Sequence, residues 1–468
     1  MPSRVLLISA NRCTTPDPVF PLGLACLNAA LRQAGHETAW LDGLASPQGL
    51  VETLRAWRPD FVGISLRNID DVLIRQRETF FEEVGSLSEG IRRHGRVPII
   101  LGGSGFSIFP RELLDLTGAD FGIAGEGEGG LLSLVDALNH GSDYSGIPGL
   151  VYRRDGRVVL NPPAAGSEHR QLTSDDRPAA IVAHYLRAGG MLNLQTQRGC
   201  RFRCCYCTYP LIEGALHRRR PPEMVAEEFE LLARQGARYV FVVDSIFNSS
   251  PRHVAETCEA LLRGKAGLPW GCFLRPQGLT RDLMELMARA GLTHIEFGSD
   301  SFSDGVLRAY LKDFTFEDIF QSSELARQRK VEHCHFLICG GPGETLATLA
   351  ESYENSKRLA GGVFLAVVGM RIYPGTDLFE QALAEGRLGT DASLLAPAYY
   401  LAPGLTEAAV FDRLGEFARL SPSWIVGDPA PGYKQLIQRL RQRGVCGPLW
   451  SYFSAAQRLW QPAAASPA

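Results

Sequence analysis

The chain has 468 residues, enough for two or three domains, and its 48 Lys and Arg residues nearly balance 51 Asp and Glu residues to give a net charge of −3. This balance excludes the strong basic charge typical of a nucleic-acid-binding surface, and a hydrophobic content of 45% is typical of a globular protein. The first residues, MPSRVLLISANR, lack the features of a signal peptide, and no apolar run is long enough to span a bilayer, so we expect a cytoplasmic protein whose thiols stay reduced.

Residues 1–140 alternate short apolar runs with helix-length segments such as Asp71–Arg93, which predicts a doubly wound parallel sheet. The strand candidates are RVLLIS, ETAWLDG, FVGISLR, VPIILGG and ADFGIAG. Two glycine motifs lie at expected C-terminal strand ends: GGSGFS at Gly102–Ser107 and GEGEGG at Gly125–Gly130. Glycine lets a backbone approach a ligand closely, although a tight strand–helix turn explains either motif alone. No GxGxxG follows the first strand, which argues against a nicotinamide cofactor.

Residues 141–190 predict a hairpin, GLVYRRDGRVVL with Asp-Gly at its turn, and then a linker. Residues 191–376 predict an open, partial (β/α)6 barrel, since a closed barrel has eight such units. Its strand candidates are MLNLQTQ, YVFVVDS, WGCFLRP, THIEFGS, HCHFLICGG and FLAVVGMRIYP. Its helices are expected at Glu223–Gln235, Pro251–Arg263, Arg281–Ala290, Phe316–Arg329 and Thr345–Ala360.

Four cysteines lie in the segment that follows the first strand of this barrel. Cys200, Cys204 and Cys207 have the spacing C-x3-C-x2-C. Three thiolates on one short loop can each bind one iron of a 4Fe–4S cluster and leave the fourth iron open. A structural zinc ion is the alternative, but it needs four ligands, usually in two pairs, and no second pair is nearby. Cys205 directly follows Cys204, so we expect its side chain to point away from the metal.

This spacing, with the aromatic Tyr206 directly before the last cysteine, resembles the radical S-adenosylmethionine superfamily. The resemblance implies that the open iron binds S-adenosylmethionine, which is cleaved to a 5′-deoxyadenosyl radical. It also implies cofactor contacts at Tyr206 and at later strand ends. These contacts are expected at Asp244 and Ser245 for the methionine amino group, at Glu296 and Ser299 for the ribose, at Gly340 in ICGGPGET for the adenine, and at Arg371 and Tyr373 in RIYPGT. Taken alone, Asp244 is equally compatible with a helix cap and Glu296 with a buried ion pair.

A flavodoxin-like domain before such a barrel resembles the cobalamin-binding class of these enzymes. The resemblance implies that two motifs hold the corrinoid and its nucleotide tail: Gly102, Gly103, Ser104, Gly105 and Phe106 in the first, and Gly125, Glu126, Gly127 and Glu128 in the second. The D-x-H-x-x-G signature that supplies a histidine to cobalt elsewhere is missing, which is usual in this class.

The segment Ser65, Leu66, Arg67 and Asn68 is then expected below the corrin ring. Arg67 is the favoured cover for the cobalt, because a guanidinium has no lone pair to donate. The alternative is that Arg67 pairs with Asp70 or Asp71 at a helix start.

Residues 377–468 predict a helical C-terminal extension. Apolar residues recur at helical spacing at Tyr433, Leu436, Ile437, Leu440, Leu449, Tyr452, Phe453, Leu459 and Trp460. Packing on the barrel is the favoured interpretation, and a lid or wall for an apolar substrate is the alternative. The last six residues are expected to be disordered.

The resemblance as a whole implies a cobalamin-dependent radical methyltransferase. Such an enzyme moves a methyl group from S-adenosylmethionine through methylcobalamin to a carbon of a small molecule, lipid or natural product, after the radical has removed a hydrogen atom. The alternatives are a cyclase or rearrangement enzyme with both cofactors, a methylthiotransferase and a zinc-stabilised binding module. We expect a flavodoxin- or ferredoxin-like electron donor and no nucleic-acid partner.

Overall fold

The computed structural model describes residues 2–14, 17–46, 49–163, 166, 169–389, 392–427 and 431–453. Within these residues the chain forms two seven-stranded sheets and two short two-stranded sheets. No helix in the described part of the chain has the length and apolar character needed to cross a membrane. The predictions for Leu459, Trp460 and the last six residues lie outside the described residues.

The first sheet is the flavodoxin-like doubly wound sheet that the sequence predicts. Its strands, in spatial order, are Glu37–Asp42, Arg4–Ser9, Phe61–Ser65, Ile99–Gly102, Phe121–Ile123, Leu150–Arg154 and Arg157–Leu160. The first five are parallel in the order 2-1-3-4-5, and the predicted hairpin adds the last two as antiparallel strands. The helices of this region are Leu22–Gln33, Leu50–Trp57, Glu82–Arg92, Ser104–Ile108, Pro110–Thr117 and Gly127–His140.

The helix expected over Asp71–Arg93 begins later, at Glu82. Before it, Asp70 and Thr79 form an antiparallel bridge. The carboxylate of Asp70 accepts the backbone N–H of Val72 at 3.0 Å, and that of Asp71 accepts the N–H of Leu73 at 3.0 Å. These side-chain bonds give the backbone an alternative to helical bonding, which explains the delayed start.

The second sheet contains the six predicted barrel strands and one more. In spatial order its parallel strands are Leu192–Leu194, Val240–Val242, Trp270–Leu274, Leu292–Asp300, Glu332–Cys339, Val363–Val368 and Trp424–Val426. The outermost two are not paired with each other, so the barrel is open. The main helices around it are Ala179–Gly189, Pro222–Arg234, Pro251–Arg263, Arg281–Arg289, Asp304–Ala309, Phe316–Gln328 and Leu346–Ser356. Short elements flank the strand ends: Ser174–Asp176, Gln197–Arg198 paired with Arg218–Arg219, and Tyr209–Ile212.

The C-terminal region is mixed where the sequence predicts helices alone. It contains the helices Asp377–Ala384, Glu407–Leu420 and Pro431–Gln442, the outermost barrel strand, and Tyr399–Tyr400 paired with Met370–Arg371. Tyr433, Leu449 and Phe453 pack in an apolar cluster with Val363 and Ile425 of the barrel. The structure therefore favours packing on the barrel for these residues.

Candidate functional site

A cavity of about 380 Å³ lies between the first sheet and the barrel. Ser9 and Ser65 end the two strands at which the strand order reverses, and both line the cavity. In open parallel sheets, ligands bind at this reversal, outside the carboxyl ends of the strands. The barrel side of the wall includes Gln195 and Arg198, directly before the cysteine loop.

Most of the residues predicted in the first domain lie in this wall. They are Ser65, Arg67, Gly102, Gly103, Ser104, Gly125, Glu126, Gly127 and Glu128. Leu66, Asn68, Gly105 and Phe106 lie outside it. The side chain of Phe106 is fully buried in the core, with its ring against Gly122. The structure therefore contradicts the prediction that this side chain contacts a cofactor.

Two glycines of the first motif are constrained by contacts within the chain. Gly103 has a φ of 97°, and a Cβ there would lie 2.5 Å from the carbonyl oxygen of Leu66. A Cβ at Gly105 would lie 3.1 Å from that oxygen, which accepts the N–H of Gly105 at 2.9 Å. The motif therefore packs on the segment that carries Arg67. This packing within the chain already requires residues without a side chain, whether or not a ligand lies beside them.

Arg67 lines the cavity and is exposed. Its guanidinium donates to the side-chain oxygen of Asn68 at 3.3 Å, and its carbonyl accepts the hydroxyl of Ser104 at 2.8 Å. Asp70 instead pairs with Arg371 of the barrel at 2.8 Å. The alternative in which Arg67 pairs with Asp70 is therefore wrong, and of the other carboxylate offered, Asp71, one oxygen accepts the backbone N–H of Leu73 at 3.0 Å.

Arg371 is an interdomain anchor where the sequence predicts a cofactor contact. Besides Asp70, its guanidinium donates to the carbonyl oxygens of Ile372 at 2.6 Å and Leu394 at 2.7 Å. The ring of Tyr373 lies under this guanidinium, with its centroid 4.8 Å from Cζ of Arg371. The same ring packs against a cluster of buried apolar residues. Because these groups satisfy one another, the structure assigns Arg371 and Tyr373 to the interface between the domains.

Charged side chains connect the second glycine motif to the barrel. Arg198 pairs with Glu126 at 3.2 Å and with Glu128 at 2.7 Å, and Arg218 also pairs with Glu126. Glu213 accepts the N–H of Gly199 at 3.1 Å, and burial raises the pKa of this carboxyl above its ordinary value. The GEGE motif is thus tied to the strand that enters the cysteine loop, a role that the sequence did not indicate.

The cysteine loop separates three thiols from the fourth. Cys205 is buried, and its sulfur lies 4.0 Å from that of Met370, so it points away as expected. The backbone N–H of Cys207 bonds to the carbonyl oxygen of Cys204 at 3.0 Å, which tightens the loop. Burial raises the pKa of Cys200 and raises that of Cys207 to about 12, so a nearby positive charge is needed to stabilise either thiolate.

Asp244 binds the backbone just before the start of this loop. Its carboxylate accepts the N–H groups of Thr196 at 2.7 Å and Gln197 at 3.3 Å, and also the hydroxyl of Thr196. That hydroxyl lies 2.8 Å from Nε2 of His253, which belongs to an outer helix. Asp244 thus anchors the backbone at the start of the loop, and its predicted contact with a methionine amino group stays a prediction. Ser245 donates to the carbonyl oxygen of Gly199 at 3.1 Å, beside Cys200.

Glu296 and Ser299 point to opposite faces of their strand, because successive side chains alternate. Ser299 is fully buried against the helical layer and bonds to Nδ1 of His335 at 2.8 Å. Glu296 lies in mid-strand, where the indole N–H of Trp450 donates to it at 3.0 Å. Burial raises the pKa of Glu296 to about 7. Ser299 lies one residue before the strand end at Asp300, and the predicted ribose contacts of both residues stay predictions.

Gly340 adopts a φ of 97°, and a Cβ there would lie 2.7 Å from the side chain of Leu401. Its carbonyl oxygen accepts the N–H of Ala402 at 2.8 Å. The glycine is thus needed where the C-terminal region crosses the strand end, and the predicted adenine contact at this position stays a prediction.

Asp300 is the last residue of the strand that contains Glu296. Its carboxylate accepts the hydroxyl of Tyr206 at 2.6 Å and pairs with the ammonium of Lys312. Sequence reasoning missed both residues, although alternation in HIEFGSD places Asp300 on the face of Glu296. It also missed Arg198 and Glu213, because their partners are distant in sequence.

Comparisons with known proteins agree with this two-part site. The model of the radical SAM superfamily matches residues 194–355, and that of the B12 binding domain matches residues 9–135. The chain belongs to the cobalamin-binding radical S-adenosylmethionine enzymes.

Several proteins of this kind are similar to the chain. The tryptophan 2-C-methyltransferase of Streptomyces laurentii is 26% identical over 448 residues, which cover 81% of this chain and 74% of that protein. The anaerobic magnesium-protoporphyrin IX monomethyl ester cyclase of Rubrivivax gelatinosus is 25% identical over 354 residues, covering 72% and 62%. One similar solved structure is that of the radical S-adenosylmethionine methyltransferase TsrM from Kitasatospora setae, with cobalamin and a 4Fe–4S cluster bound. Its superposition on this chain has a TM-score of 0.87, at 24% sequence identity and with 98% of both chains covered.

The cysteine loop of this radical S-adenosylmethionine enzyme fits an iron–sulfur cluster better than a single metal ion. Among the described residues, no three His, Cys, Asp or Glu side chains are placed to hold one ion. A 4Fe–4S cluster does not require such convergence, because each thiolate binds a different iron. Two cations, Arg275 and Lys312, interact electrostatically with the thiol of Cys204. Positive charge beside a loop of thiols suits the anionic cluster.

Proposed function

We propose that this enzyme transfers a methyl group from S-adenosylmethionine to a carbon atom of a small-molecule substrate. The single observation that carries the proposal is the cavity between the domains. Its wall joins the strand ends of the B12-binding domain, including Ser65 and Gly102, to Arg198, two residues before Cys200. A group held at the first sheet is therefore adjacent to the cysteine loop.

The residues that would hold cobalamin are the wall residues of the first domain, chiefly Ser65, Gly102, Ser104 and Gly125. Those that would hold the cluster are Cys200, Cys204 and Cys207. When bound, cobalamin supplies a cobalt centre that can carry a methyl group, and the cluster supplies the electron that splits S-adenosylmethionine. The protein brings the two together and excludes water from the space between them.

Within this proposal, Arg67 would be the residue that covers the cobalt of a bound cobalamin. Its side chain reaches the cavity, while Asp70 is occupied by Arg371 and leaves the guanidinium unpaired with that carboxylate. A guanidinium has no lone pair, so Arg67 would shield the cobalt without donating to it. The electron paramagnetic resonance spectrum of bound cob(II)alamin should show no nitrogen splitting in the wild type, and Arg67→Ala should change it. A nitrogen-split wild-type spectrum would contradict this role.

The test of the function is a labelling experiment with the reconstituted enzyme, a chemical reductant and S-adenosylmethionine carrying an isotopic methyl label. Tryptophan is the first substrate to try, because a similar protein is a tryptophan methyltransferase; a small-molecule extract follows. The expected result is a labelled product heavier than its substrate by one methyl group, absent with Cys204→Ala. Measuring 5′-deoxyadenosine in parallel shows whether hydrogen abstraction accompanies the transfer.

A cyclase or rearrangement enzyme is the second candidate, since the Rubrivivax cyclase is 25% identical over 354 residues. The mass of the product separates the two functions. Formation of 5′-deoxyadenosine with a product that contains no labelled methyl group would favour cyclisation or rearrangement. A flavodoxin- or ferredoxin-like electron donor and a cytoplasmic location remain part of the proposal.

A further inference from the structure

A buried ion pair lies directly beside the cysteine loop and has no assigned role. Asp300 and Lys312 form it, and their side chains are 4% and 5% exposed. The hydroxyl of Tyr206 donates to Asp300 at 2.6 Å and lies 3.5 Å from the ammonium of Lys312. Tyr206 stands between Cys205 and Cys207, so this pair holds a residue inside the loop.

The backbone is left-handed at Asp300 and at the residue before Lys312. Asp300 has a φ of 64°, and Leu311, directly before Lys312, has a φ of 58°. Left-handed backbone is unfavourable for side chains other than glycine and persists where surrounding contacts enforce it. The strand register also shifts between Phe297 and Asp300. Both charged residues therefore lie at or next to left-handed backbone, where surrounding contacts fix the path of the chain.

The segment before Lys312 supports the same loop through its backbone. The carbonyl oxygen of Tyr310 accepts the N–H of Cys205 at 3.1 Å. The hydroxyl of Tyr310 donates to the carbonyl oxygen of Ile338 at 2.7 Å and accepts the N–H of Gly341 at 3.0 Å. Residues 310–312 thus connect the cysteine loop to the glycine motif at the end of a neighbouring strand.

The ammonium of Lys312 lies against the aromatic ring inside the cysteine loop, 5.4 Å from the centroid of the Tyr206 ring. The side chain of Lys312 is 5% exposed, so salt in the solvent screens its charge only weakly. The charge therefore acts at close range on whatever the loop binds.

We propose that Lys312 and Asp300 are positioning residues that hold Tyr206 and place a fixed positive charge beside the cluster loop, where it raises the reduction potential of the bound cluster. A positive charge favours the reduced, more negative form of a cluster, whereas the carboxylate opposes it. This rests on the assignment of Cys200, Cys204 and Cys207 as ligands and is independent of which substrate is methylated.

The test is a redox titration of the reconstituted full-length enzyme, followed by electron paramagnetic resonance of the cluster. Lys312→Met should lower the midpoint potential, Lys312→Arg should keep it near the wild-type value, and Asp300→Asn should raise it. The exposed Lys265→Met is the matched control and should change nothing. Opposite signs for Lys312→Met and Asp300→Asn are the signature of charge, because a merely structural defect has no reason to reverse sign between them.

Equal potentials in all variants, or shifts in one direction for both Lys312→Met and Asp300→Asn, would overturn the proposal. If Lys312→Met loses its iron, the other two variants decide. An unchanged potential in Lys312→Arg together with a raised potential in Asp300→Asn supports the proposal. Any other result overturns it. Iron content of Cys204→Ala tests the ligand assignment separately, since failure of that assignment would leave iron in this variant.

Discussion

The interdomain ion pair between Asp70 and Arg371 should be the most sensitive contact between the two domains. The two side chains are 0% and 4% exposed, and their charged atoms lie 2.8 Å apart. Removing one partner of a buried pair leaves the other charge without its counterion, which costs about 3–5 kcal/mol. Arg371 keeps two backbone carbonyl acceptors. We therefore expect Asp70→Asn to lower the free energy of unfolding by about 3 kcal/mol, at the lower end of that range.

The assay is urea unfolding of the full-length protein, with Arg371→Met and the double variant completing a mutant cycle. The double variant should be less destabilised than the sum of the single variants by about 1–3 kcal/mol, because neither charge remains alone. Glu256→Gln is the control, since Glu256 pairs with Arg252 on the surface, with exposures of 44% and 81%. Its effect should stay below about 0.5 kcal/mol.

Two results would refute this reasoning. One is an Asp70→Asn variant as stable as the surface control, which would mean that the pair is solvated or absent. The other is strict additivity in the cycle, which would mean that the two residues act independently. Because Asp70 ends the segment that carries Arg67, Asp70→Asn should also reduce the amount of cobalamin retained per chain.

Three further outcomes are expected. Cys204→Ala should lose the cluster absorbance and iron after anaerobic reconstitution whereas Cys205→Ala should keep both, and the opposite pattern would show that the ligand register is wrong. Burial raises the pKa of Glu296 from 4.5 to about 7, so the folded state binds this proton more tightly and stability should fall by about 3 kcal/mol as the pH rises from about 4.5 through 7. Glu296→Gln should flatten that slope in urea unfolding at pH 5.5 and 8, and an unchanged slope would assign it elsewhere. Gly103→Ala should lower cobalamin content while leaving the iron unchanged, because its Cβ meets the carbonyl oxygen of Leu66; Gly129→Ala, with open space around it, is the matched control.

The sequence predicts the sheets well because their signals are local. Short apolar runs separated by helical segments correspond to the parallel strands of both sheets, and the helix Pro251–Arg263 has its predicted limits. The cysteine spacing and the glycine motifs at strand ends are equally local, so they indicate the two halves of the site. The delayed helix start at Glu82 is the exception, because aspartate side chains bond to the nearby backbone there.

Side-chain partners across the domains could not be predicted in the same way. Arg371 and Asp70 are 301 residues apart in sequence, and Arg198 and Glu128 are 70 apart. No periodicity encodes such a pairing, so motif analogy assigned Arg371 and Glu128 to cofactors. Motif matching has another limit at Ser299, because it does not show which way a side chain points: the hydroxyl of Ser299 bonds to His335, whereas Asp300, one residue later, binds Tyr206 of the cysteine loop.

Two of the interdomain ion pairs explain how the halves of the site are kept in register. Arg198–Glu128 joins the second glycine motif to the strand that enters the cysteine loop, and Arg371–Asp70 joins the segment of Arg67 to the end of a barrel strand. Desolvation offsets most of the Coulombic gain of buried pairs, so their net contribution to stability is small compared with the cost of breaking them. That asymmetry penalises any shift of one domain against the other, because a shift separates charges that water cannot reach. Arg198 and Glu128 line the cavity themselves, and Asp70 is three residues from Arg67 of its wall, so both pairs fix the place where a ligand of the first domain must meet a ligand of the barrel.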